Sequence, residues 1–396
     1  MQLFSCHRIF DIKPCMPASA RALWIDHLRS AITVLVVAHH SSLAYTTFAS
    51  FNKQAYILST HPIVDKERWI GLDIFENFND VFFMSLMFFI SGMFVLPSLT
   101  RKGVTAFIRD RFYRLFLPFA AGVTLLMMLA YYPAYYIAHG SHSIKGYVID
   151  YFTTEAWPVG PPWFIWVLFL YNIIFALLFP LLKNKTIGSF RPGVLVSGLV
   201  VITWILYVPM AMWVGPYTWT GIGPFDFQKS RILLYFAYFL LGALAGNKRY
   251  GDGIFSGKFI ALWPLWIAAC LLMYILLTVI SAPLRQLVAQ EKISSMTGWL
   301  VYYTVYVLSC SLSCIALVTS FKALVQAPKS WWTFLSANAY SIYLLHYIFV
   351  VWCQYALLSI SAPAFIKFII TFIVALSGSW IVSHLIRKHP LIRKYL

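Results

Sequence analysis

The residues best suited to chemistry lie in one mostly apolar stretch, residues 24–45. Asp26 and Arg29 stand near its start, and His39 and His40 interrupt the apolar run that follows. Arg29 and His40 are eleven positions apart, which on a helix is ~1100°, about 20° past three full turns, so both side chains leave one helix face. Because imidazole gives and takes protons near neutral pH, His40 is a candidate general base.

The composition is that of a membrane protein. Of the 396 residues, 61% are hydrophobic and 11% are charged, and the mean hydropathy is +0.75. Soluble domains carry about 25% charged residues. The net charge of +17 could suggest a nucleic-acid partner, but the basic residues are spread through short loops between apolar runs. Retention of lysine and arginine on the cytoplasmic side of a bilayer explains this pattern, so we expect no nucleic-acid partner.

Apolar runs predict an all-α, polytopic bundle of about ten transmembrane helices. The predicted spans are Leu28–Ser50, Phe75–Leu96, Tyr113–Ile137, Trp163–Leu182, Val194–Trp213, Arg231–Ala245, Phe259–Ser281, Leu300–Phe321, Ala337–Ser359 and Ala364–Ile386. Residues 24–386 then form one membrane domain, between a tail at 1–23 and a basic tail at 387–396. Alternate connecting segments, together with the two tails, hold 21 of the 30 lysines and arginines, which places both termini in the cytoplasm.

Two histidines are predicted to share one depth in the bilayer. The rise from Arg29 to His40 is ~16.5 Å, roughly half of a ~30 Å hydrocarbon core. His346 lies nine residues into the ninth predicted span, ~13 Å deep, with Tyr343 one turn before it on the same face. An ionisable residue at mid-membrane is a functional hypothesis by default. His39 leaves the helix ~100° from His40 and is assigned to packing, as the second choice for the chemistry.

No carboxylate is predicted in the middle of a span. The nearest is Asp80, about one and a half turns into the second span from its outer end. We include Asp80 and His346 as catalytic candidates, and either Asp80 or Tyr343 could orient His40. In the same span, Ser91 and Gly92 offer a small surface against which a neighbouring helix could pack.

Two further groups of residues have a functional and a purely structural interpretation. Arg111 and Arg114 are three residues apart, which predicts one helix face, and Arg109 lies just before them at the inner end of the third span. This cluster could bind phosphate or simply anchor the helix at lipid headgroups. Trp163 follows a proline-rich segment at the outer boundary, where its ring could stack on a sugar or belong to the interfacial aromatic belt. Spacing alone favours the structural interpretation in both cases.

Six segments in this order resemble the membrane-bound acyltransferase 3 family, and within it the glucan-modifying branch. They are Asp26-His-Leu-Arg29, the Arg29 to His40 spacing, Phe88-Phe-Ile-Ser-Gly92, Arg111-Phe-Tyr-Arg-Leu-Phe-Leu-Pro118, Gly160-Pro-Pro-Trp-Phe-Ile-Trp166 and Tyr340-Ser-Ile-Tyr-Leu-Leu-His346. The resemblance implies an O-acyltransferase of the bacterial inner membrane. Such an enzyme moves an acetyl or succinyl group from cytosolic acyl-CoA to a hydroxyl of an extracytoplasmic carbohydrate such as a periplasmic glucan.

The resemblance also implies roles for individual residues. His40 matches the essential histidine of the family, Arg29 its paired arginine, and Arg111 and Arg114 match basic positions associated with the acyl donor. Acyl-CoA is then a substrate, with no bound cofactor and no metal. Chemistry agrees with this, because an alcohol that attacks a thioester needs a base, and an apolar setting favours the uncharged imidazole that can accept a proton. The oligomeric state is left open.

One departure from the family and one competing class of protein remain. Many members that act on O-antigen or peptidoglycan carry glutamates in the fourth span, whereas Trp163–Leu182 has none, which favours the glucan type. The competing class is a proton-coupled secondary transporter, in which the central histidines would relay protons. Such transporters are marked by helices broken in mid-span at Gly or Pro, and most of the predicted spans are uninterrupted.

The predicted topology can be tested with reporter fusions along the chain. Fusions after Lys145 and Lys292 should report outside the cytoplasm, and fusions after Lys185 and Lys258 should report inside, because the basic loops stay in the cytoplasm. Reversed signals at two of these four positions would overturn the map.

Overall fold

The computed structural model describes residues 23–154, 157–182, 192–246, 257–325, 327 and 330–395. Its helices are α1 (Leu23–Ser42), α2 (Ile70–Gly92), α3 (Val95–Lys102), α4 (Val104–Arg111), α5 (Leu117–Ala121), α6 (Met127–His139), α7 (Ile144–Thr153), α8 (Trp163–Leu182), α9 (Pro192–Val214), α10 (Ile232–Ala245), α11 (Gly257–Ala261), α12 (Trp263–Ala289), α13 (Ser295–Leu324), α14 (Ser330–Leu357), α15 (Ala364–Ile386) and α16 (Pro390–Tyr395). Strands β1 (Trp219–Thr220) and β2 (Phe227–Gln228) pair antiparallel.

The all-α, polytopic architecture is confirmed. Eight helices of the described chain are long and apolar enough to cross a membrane: Ile70–Lys102, Val104–His139, Trp163–Leu181, Gly193–Val214, Trp263–Ala289, Ser295–Leu324, Ser330–Leu357 and Ala364–Ile386. The sixth predicted span corresponds to α10, which has 14 residues and is shorter than a typical span. The first corresponds to α1, whose charged and imidazole side chains make it less apolar than the eight. Ten spans with both termini inside therefore stay a prediction.

Helix α1 packs side by side with α14 at the centre of the bundle. Leu28, Ile32 and Val36 recur at helical spacing on α1 and are all buried in the main apolar core. At the predicted inner end, the hydroxyls of Ser30 and Ser336 are 2.7 Å apart. Further contacts follow in the same direction along both helices, so α1 and α14 run parallel.

The first predicted span is wrong at its outer end, because α1 stops at Ser42 instead of Ser50. The last carbonyls of a helix have no partner within it. Here the Gln354 amide on α14 donates to the carbonyls of His40, at 3.3 Å, and Ser41, at 3.2 Å. The Ser42 hydroxyl donates to His39 O at 2.7 Å. These side chains supply hydrogen bonds that another helical turn would have made, so α1 ends inside the protein.

Helices α2 and α10 approach each other through glycine. A Cβ on Gly92 would overlap the carbonyl oxygen of Phe239, and one on Gly242 would overlap that of Phe89. The small surface predicted at Gly92 is therefore a helix contact, because only a residue without a side chain lets the two backbones come this close. This contact holds α10, and with it the segment that precedes it, against α2.

The helix Val104–His139 is continuous but irregular. It contains two π-helical turns, Phe112–Phe116 and Gly122–Leu126, on either side of α5. Pro118 lies at the start of α5 and cannot donate a backbone hydrogen bond, which accounts for a local change in the pattern of the helix. The change in twist redirects the side chains that precede Pro118.

A fully buried ion pair fixes the connection between α1 and α2. Lys367 on α15 donates from Nζ to Asp65 Oδ2 at 2.7 Å, and both side chains are inaccessible to solvent. Nearby, Tyr45 hydrogen-bonds Thr371 at 3.1 Å. Removing one partner of a buried pair leaves the other charge without compensation, which makes such a pair costly to break.

We expect Lys367→Met to lower the free energy of unfolding by about 3–5 kcal/mol, because the Asp65 carboxylate would stay buried without its cation. Chemical unfolding of the detergent-solubilised protein measures this. Asp65→Asn combined with Lys367→Met should recover most of the loss, since no buried charge remains. Lys102→Met, which breaks a partly exposed pair with Asp110, should cost less than about 1 kcal/mol. A Lys367→Met protein as stable as wild type would contradict the argument.

Candidate active site

His40 and His346 meet at the centre of the bundle, as their predicted depths require. Nε2 of His346 lies 3.2 Å from Nδ1 of His40, and the ring centroids are 5.1 Å apart. His346 is completely buried near the middle of α14, and His40 is half-buried in the last turn of α1. The two rings are therefore in direct hydrogen-bond contact.

The hydrogen bonds of the two rings determine where their protons lie. Nδ1 of His40 is 2.9 Å from Val36 O, and Nδ1 of His346 is 2.7 Å from Tyr343 O. A carbonyl oxygen only accepts, so each Nδ1 carries a proton in the neutral ring. The N–H at His40 Nδ1 then donates to two acceptors, Val36 O and Nε2 of His346. The lone pair of His40 consequently resides on Nε2, for which the described chain provides no hydrogen-bond partner.

A small cavity of ≈ 140 Å³ adjoins His40. Its lining comes from α1, α2, α8, α10, α14 and the connecting segments above them, and consists of Val36, His39, His40, Asp80, Phe83, Met84, Pro161, Trp163, Trp219, Gln228, Tyr235 and Tyr343. Four of the predicted site residues, His40, Asp80, Trp163 and Tyr343, therefore surround one space. His346 contacts it through His40.

Asp80 lies deeper in its helix than predicted. Helix α2 begins at Ile70 instead of Phe75, so Asp80 is ten residues, ~15 Å, from its start and near its middle. The prediction that no carboxylate lies in mid-span is wrong for this helix. Both carboxylate oxygens accept from Arg231, at 2.8 and 2.7 Å, and Arg231 is buried beneath the rings of Tyr217 and Tyr306. Asp80 is thus engaged by an arginine and does not hydrogen-bond His40.

Tyr343 acts on the histidines through its backbone. Its hydroxyl donates to Pro161 O in the segment before α8, and its own carbonyl accepts from His346. The sequence analysis suggested that Asp80 or Tyr343 could orient His40, but neither the Asp80 carboxylate nor the Tyr343 hydroxyl does so. Val36 O and His346 orient it instead. Gly160 makes this approach possible, because its φ of +54° is left-handed and a Cβ there would overlap Met127 Sδ.

His39 lines the same cavity but contacts a different helix. Its ring packs on Phe83 with centroids 4.9 Å apart, and its Nε2 is 3.8 Å from Glu76 Oε1 on α2. Its assignment to packing stays a prediction. His40 stands edge-on to His39, with ring centroids 5.3 Å apart.

His61 and Gln354 belong to the site and were missed by the sequence analysis. Nε2 of His61 is 2.7 Å from Oε1 of Gln354, whose amide holds the carbonyls at the end of α1. Burial lowers the pKa of His61 to about 4, which keeps its ring neutral. The ring of Tyr347 stands edge-on to the rings of both His61 and His40. No periodicity could show that a loop histidine folds back into the bundle.

Arginines at the predicted inner end of the bundle contact the first turns of α14. Arg29 donates from Nη2 to Ser336 O at 3.2 Å, and its guanidinium is 3.4 Å from Asp26. Arg387, assigned to the C-terminal tail, donates to Ala337 O. Burial, together with the positive charges of Arg393 and Arg29, lowers the pKa of Arg387. Arginines from both ends of the chain therefore converge on one patch.

Arg109, Arg111 and Arg114 do not share one helix face. The π-helical turn begins directly after Arg111, which adds residues to the turn and separates the two side chains that an α-helix would align. The Arg111 guanidinium lies 4.7 Å from the Phe107 ring, whereas Arg114 is exposed and pairs with Asp110 at 3.1 Å. Arg109 is exposed. Tyr340 donates to Arg114 O at 2.7 Å, which links this helix to α14.

The described chain is thus a polytopic helical membrane protein with a hydrogen-bonded histidine pair beside an internal cavity. Residues 22–384 match the model of the acyltransferase 3 family, described as an acyltransferase domain. The chain therefore belongs to the acyltransferase 3 family and is an acyltransferase.

Curated relatives agree with this assignment. Glucans biosynthesis protein C of Escherichia coli strain K12 is 24% identical over 243 residues, which cover 57% of this chain and 58% of that protein. The same protein of Escherichia coli O157:H7 matches to the same extent. The match thus spans little more than half the length of these relatives. No solved structure matches this chain.

Proposed function

We propose that this membrane acyltransferase moves an acetyl or succinyl group from cytosolic acyl-CoA to a hydroxyl of an extracytoplasmic carbohydrate, such as a glucan, at a bacterial inner membrane. His40 is the general base. The single observation that carries the proposal is the hydrogen bonding of the histidine pair, which leaves the lone pair of His40 on Nε2 in a ring that lines the cavity. The family and the name of the E. coli relative support the acyl transfer and the class of acceptor.

The reaction balances with His40 as the only proton carrier. The acceptor hydroxyl attacks the thioester carbonyl carbon while its proton passes to His40 Nε2. The tetrahedral intermediate then collapses, the C–S bond breaks, and the departing sulfur takes the proton back from Nε2. The products are the carbohydrate ester and free CoA, and the histidine returns to its starting form.

His346 and Val36 stabilise the charged intermediate form of His40. Once Nε2 has taken a proton, the imidazolium keeps its Nδ1–H, which points at His346 Nε2 and Val36 O. Both atoms accept from this N–H, so both hydrogen bonds become stronger as the ring becomes positive. His346 thereby does for His40 what a triad carboxylate does, without bringing a second charge into the bundle.

The donor enters from the inner face in this proposal. CoA carries several phosphates, which guanidinium groups bind well. Arg29, Arg387 and Arg393 converge at one patch there, and Arg111 and Arg114 lie on the helix that Tyr340 links to it. Helix rise places Arg29 ~16 Å from His40, so the phosphates and the thioester occupy opposite ends of the pantetheine arm.

A proton-coupled transporter is the second candidate, and one observation favours it. Helix α1 ends at Ser42 beside the histidines, and a 3₁₀ turn at Leu43–Tyr45 and then irregular backbone follow it. Broken helices of this kind also surround the central sites of secondary transporters. The two candidates differ in their dependence on acyl-CoA, which only the enzyme consumes.

Replacing His40 by alanine separates these candidates. We expect His40→Ala to reduce acyl transfer by about 10²–10⁴-fold, because general base catalysis supplies a factor of that size. Acyl-CoA binding should persist, since the phosphates are bound at the inner face. His39→Gln is the matched control and should retain most activity. The assay follows labelled acetyl or succinyl groups from CoA to envelope glucan, using purified protein in vesicles.

Two results would refute the assignment. One is full transfer by His40→Ala. The other is wild-type protein that transfers no acyl group to any acceptor of a reasonable panel but moves a solute in a proton-dependent manner that His40→Ala uncouples.

Removal of two inner arginines tests donor binding. Each charge-assisted contact contributes about 1.5–3 kcal/mol, so Arg111→Ala combined with Arg114→Ala should weaken acyl-CoA binding at least tenfold. Isothermal titration in nanodiscs measures the affinity. Arg101→Ala, which removes an exposed arginine of the neighbouring helix α3, should leave the affinity within about twofold. Equal affinities for wild type and the double variant would make these residues interface anchors only.

A further inference from the structure

A second, larger cavity of ≈ 430 Å³ lies between the ends of α12 and α13 that the topology places outside the cytoplasm. It is lined by Pro216, Tyr217, Ser281, Leu284, Arg285, Val288, Ala289, Ser295, Gly298, Trp299 and Tyr302. Arg285 is the one charged side chain in this lining. None of these residues takes part in the reaction described above.

The chemistry of the lining suits a sugar. Three aromatic rings, from Tyr217, Trp299 and Tyr302, offer flat faces for the CH surfaces of a pyranose, and Arg285 offers several donors for its hydroxyl groups. Trp299 stacks on the buried ring of Tyr303, with centroids 5.5 Å apart and planes inclined by 15°. This stacking fixes the indole before any ligand arrives, which reduces the entropy lost on binding.

A comparison within the protein argues against lipid as the occupant. Another cavity of similar volume, ≈ 410 Å³, lies between α14 and α15, and Ser377 supplies the one hydroxyl in its apolar and aromatic lining. Such a lining suits an acyl chain. The cavity at Trp299 instead exposes an arginine, two serines and two tyrosine hydroxyls, which a hydrocarbon chain would leave without hydrogen bonds.

One short segment connects this cavity to the catalytic one. Tyr217 lines the outer cavity and lies 5.5 Å from the guanidinium of Arg231. Arg231 binds Asp80, which lines the cavity at His40. Trp219, two residues after Tyr217, lines the cavity at His40 directly. Residues 216–231 therefore contribute to the lining of both cavities.

The volumes of the two cavities indicate that each accommodates a different part of the acceptor. Ligand sites usually measure about 300–1,000 Å³, so ≈ 140 Å³ at His40 holds only the reacting group, whereas ≈ 430 Å³ holds further sugar units. We infer that the outer cavity is an acceptor subsite that binds glucosyl rings of an oligosaccharide and delivers the adjoining hydroxyl to His40. This inference rests on the proposed function and adds to it a determinant of acceptor length.

Two acceptors and four proteins test the subsite. The acceptors are a neutral β-glucan hexasaccharide and methyl glucoside, and the proteins are wild type, Trp299→Ala, Trp299→Phe and Trp69→Ala. Trp69 is the matched control, because it is 46% exposed like Trp299 and lines neither cavity. Trp299→Ala should raise KM for the hexasaccharide roughly fivefold, equivalent to ~1 kcal/mol of lost aromatic contact, with kcat unchanged.

The controls give each failure a separate meaning. KM for methyl glucoside should not change in Trp299→Ala, and Trp299→Phe should recover part of the affinity for the hexasaccharide. Wild-type protein that acylates neither acceptor would refute glucan as the acceptor in the proposed function, and the subsite with it. If wild type acylates the hexasaccharide while Trp299→Ala alters neither KM, alters both equally, or behaves like Trp69→Ala, the subsite is refuted and the proposed function stands.

Discussion

The contact between His346 Nε2 and His40 Nδ1 is the interaction on which the rest of the site depends. It requires α1 and α14 to run parallel and in register, which the hydroxyl pair of Ser30 and Ser336 secures at one end and Gln354 at the other. A slip of one residue would turn a side chain by ~100° and separate the rings. Among the described residues no carboxylate hydrogen-bonds either ring, so the proposed role of the pair depends on this geometry.

Ending α1 beside His40 places polar backbone inside the bundle, and the fold compensates for it locally. Gln354 satisfies the terminal carbonyls, His61 holds Gln354, and Lys367 fixes the connection through Asp65. Each of these groups is buried, where an unpaired polar atom costs more than it would in water. The same arrangement that terminates the helix thus gives His40 its position and leaves its Nε2 available.

The protein separates the arginines, the histidine pair and the aromatic surface along one axis. Arg29 and Arg387 meet at the inner end of α14, the histidines lie near its middle, and Trp163 and Trp219 cover the site on the opposite side. This order fits a reaction whose donor is anionic and whose acceptor is a sugar. The ion pair of Asp80 and Arg231 connects the cavity at His40 to Tyr217, which lines the larger aromatic cavity.

The sequence by itself determined the class of fold and the outline of the site. Apolar periodicity predicts the helices, and the spacing of Arg29 and His40 predicts their common face, because both depend only on the geometry of one helix. It could not show that α1 ends at Ser42 or that Asp80 binds Arg231, since these follow from contacts between distant segments. The proton on His40 Nδ1 was likewise decided by tertiary structure, because Val36 O and His346 reach that nitrogen only once α1 and α14 have packed.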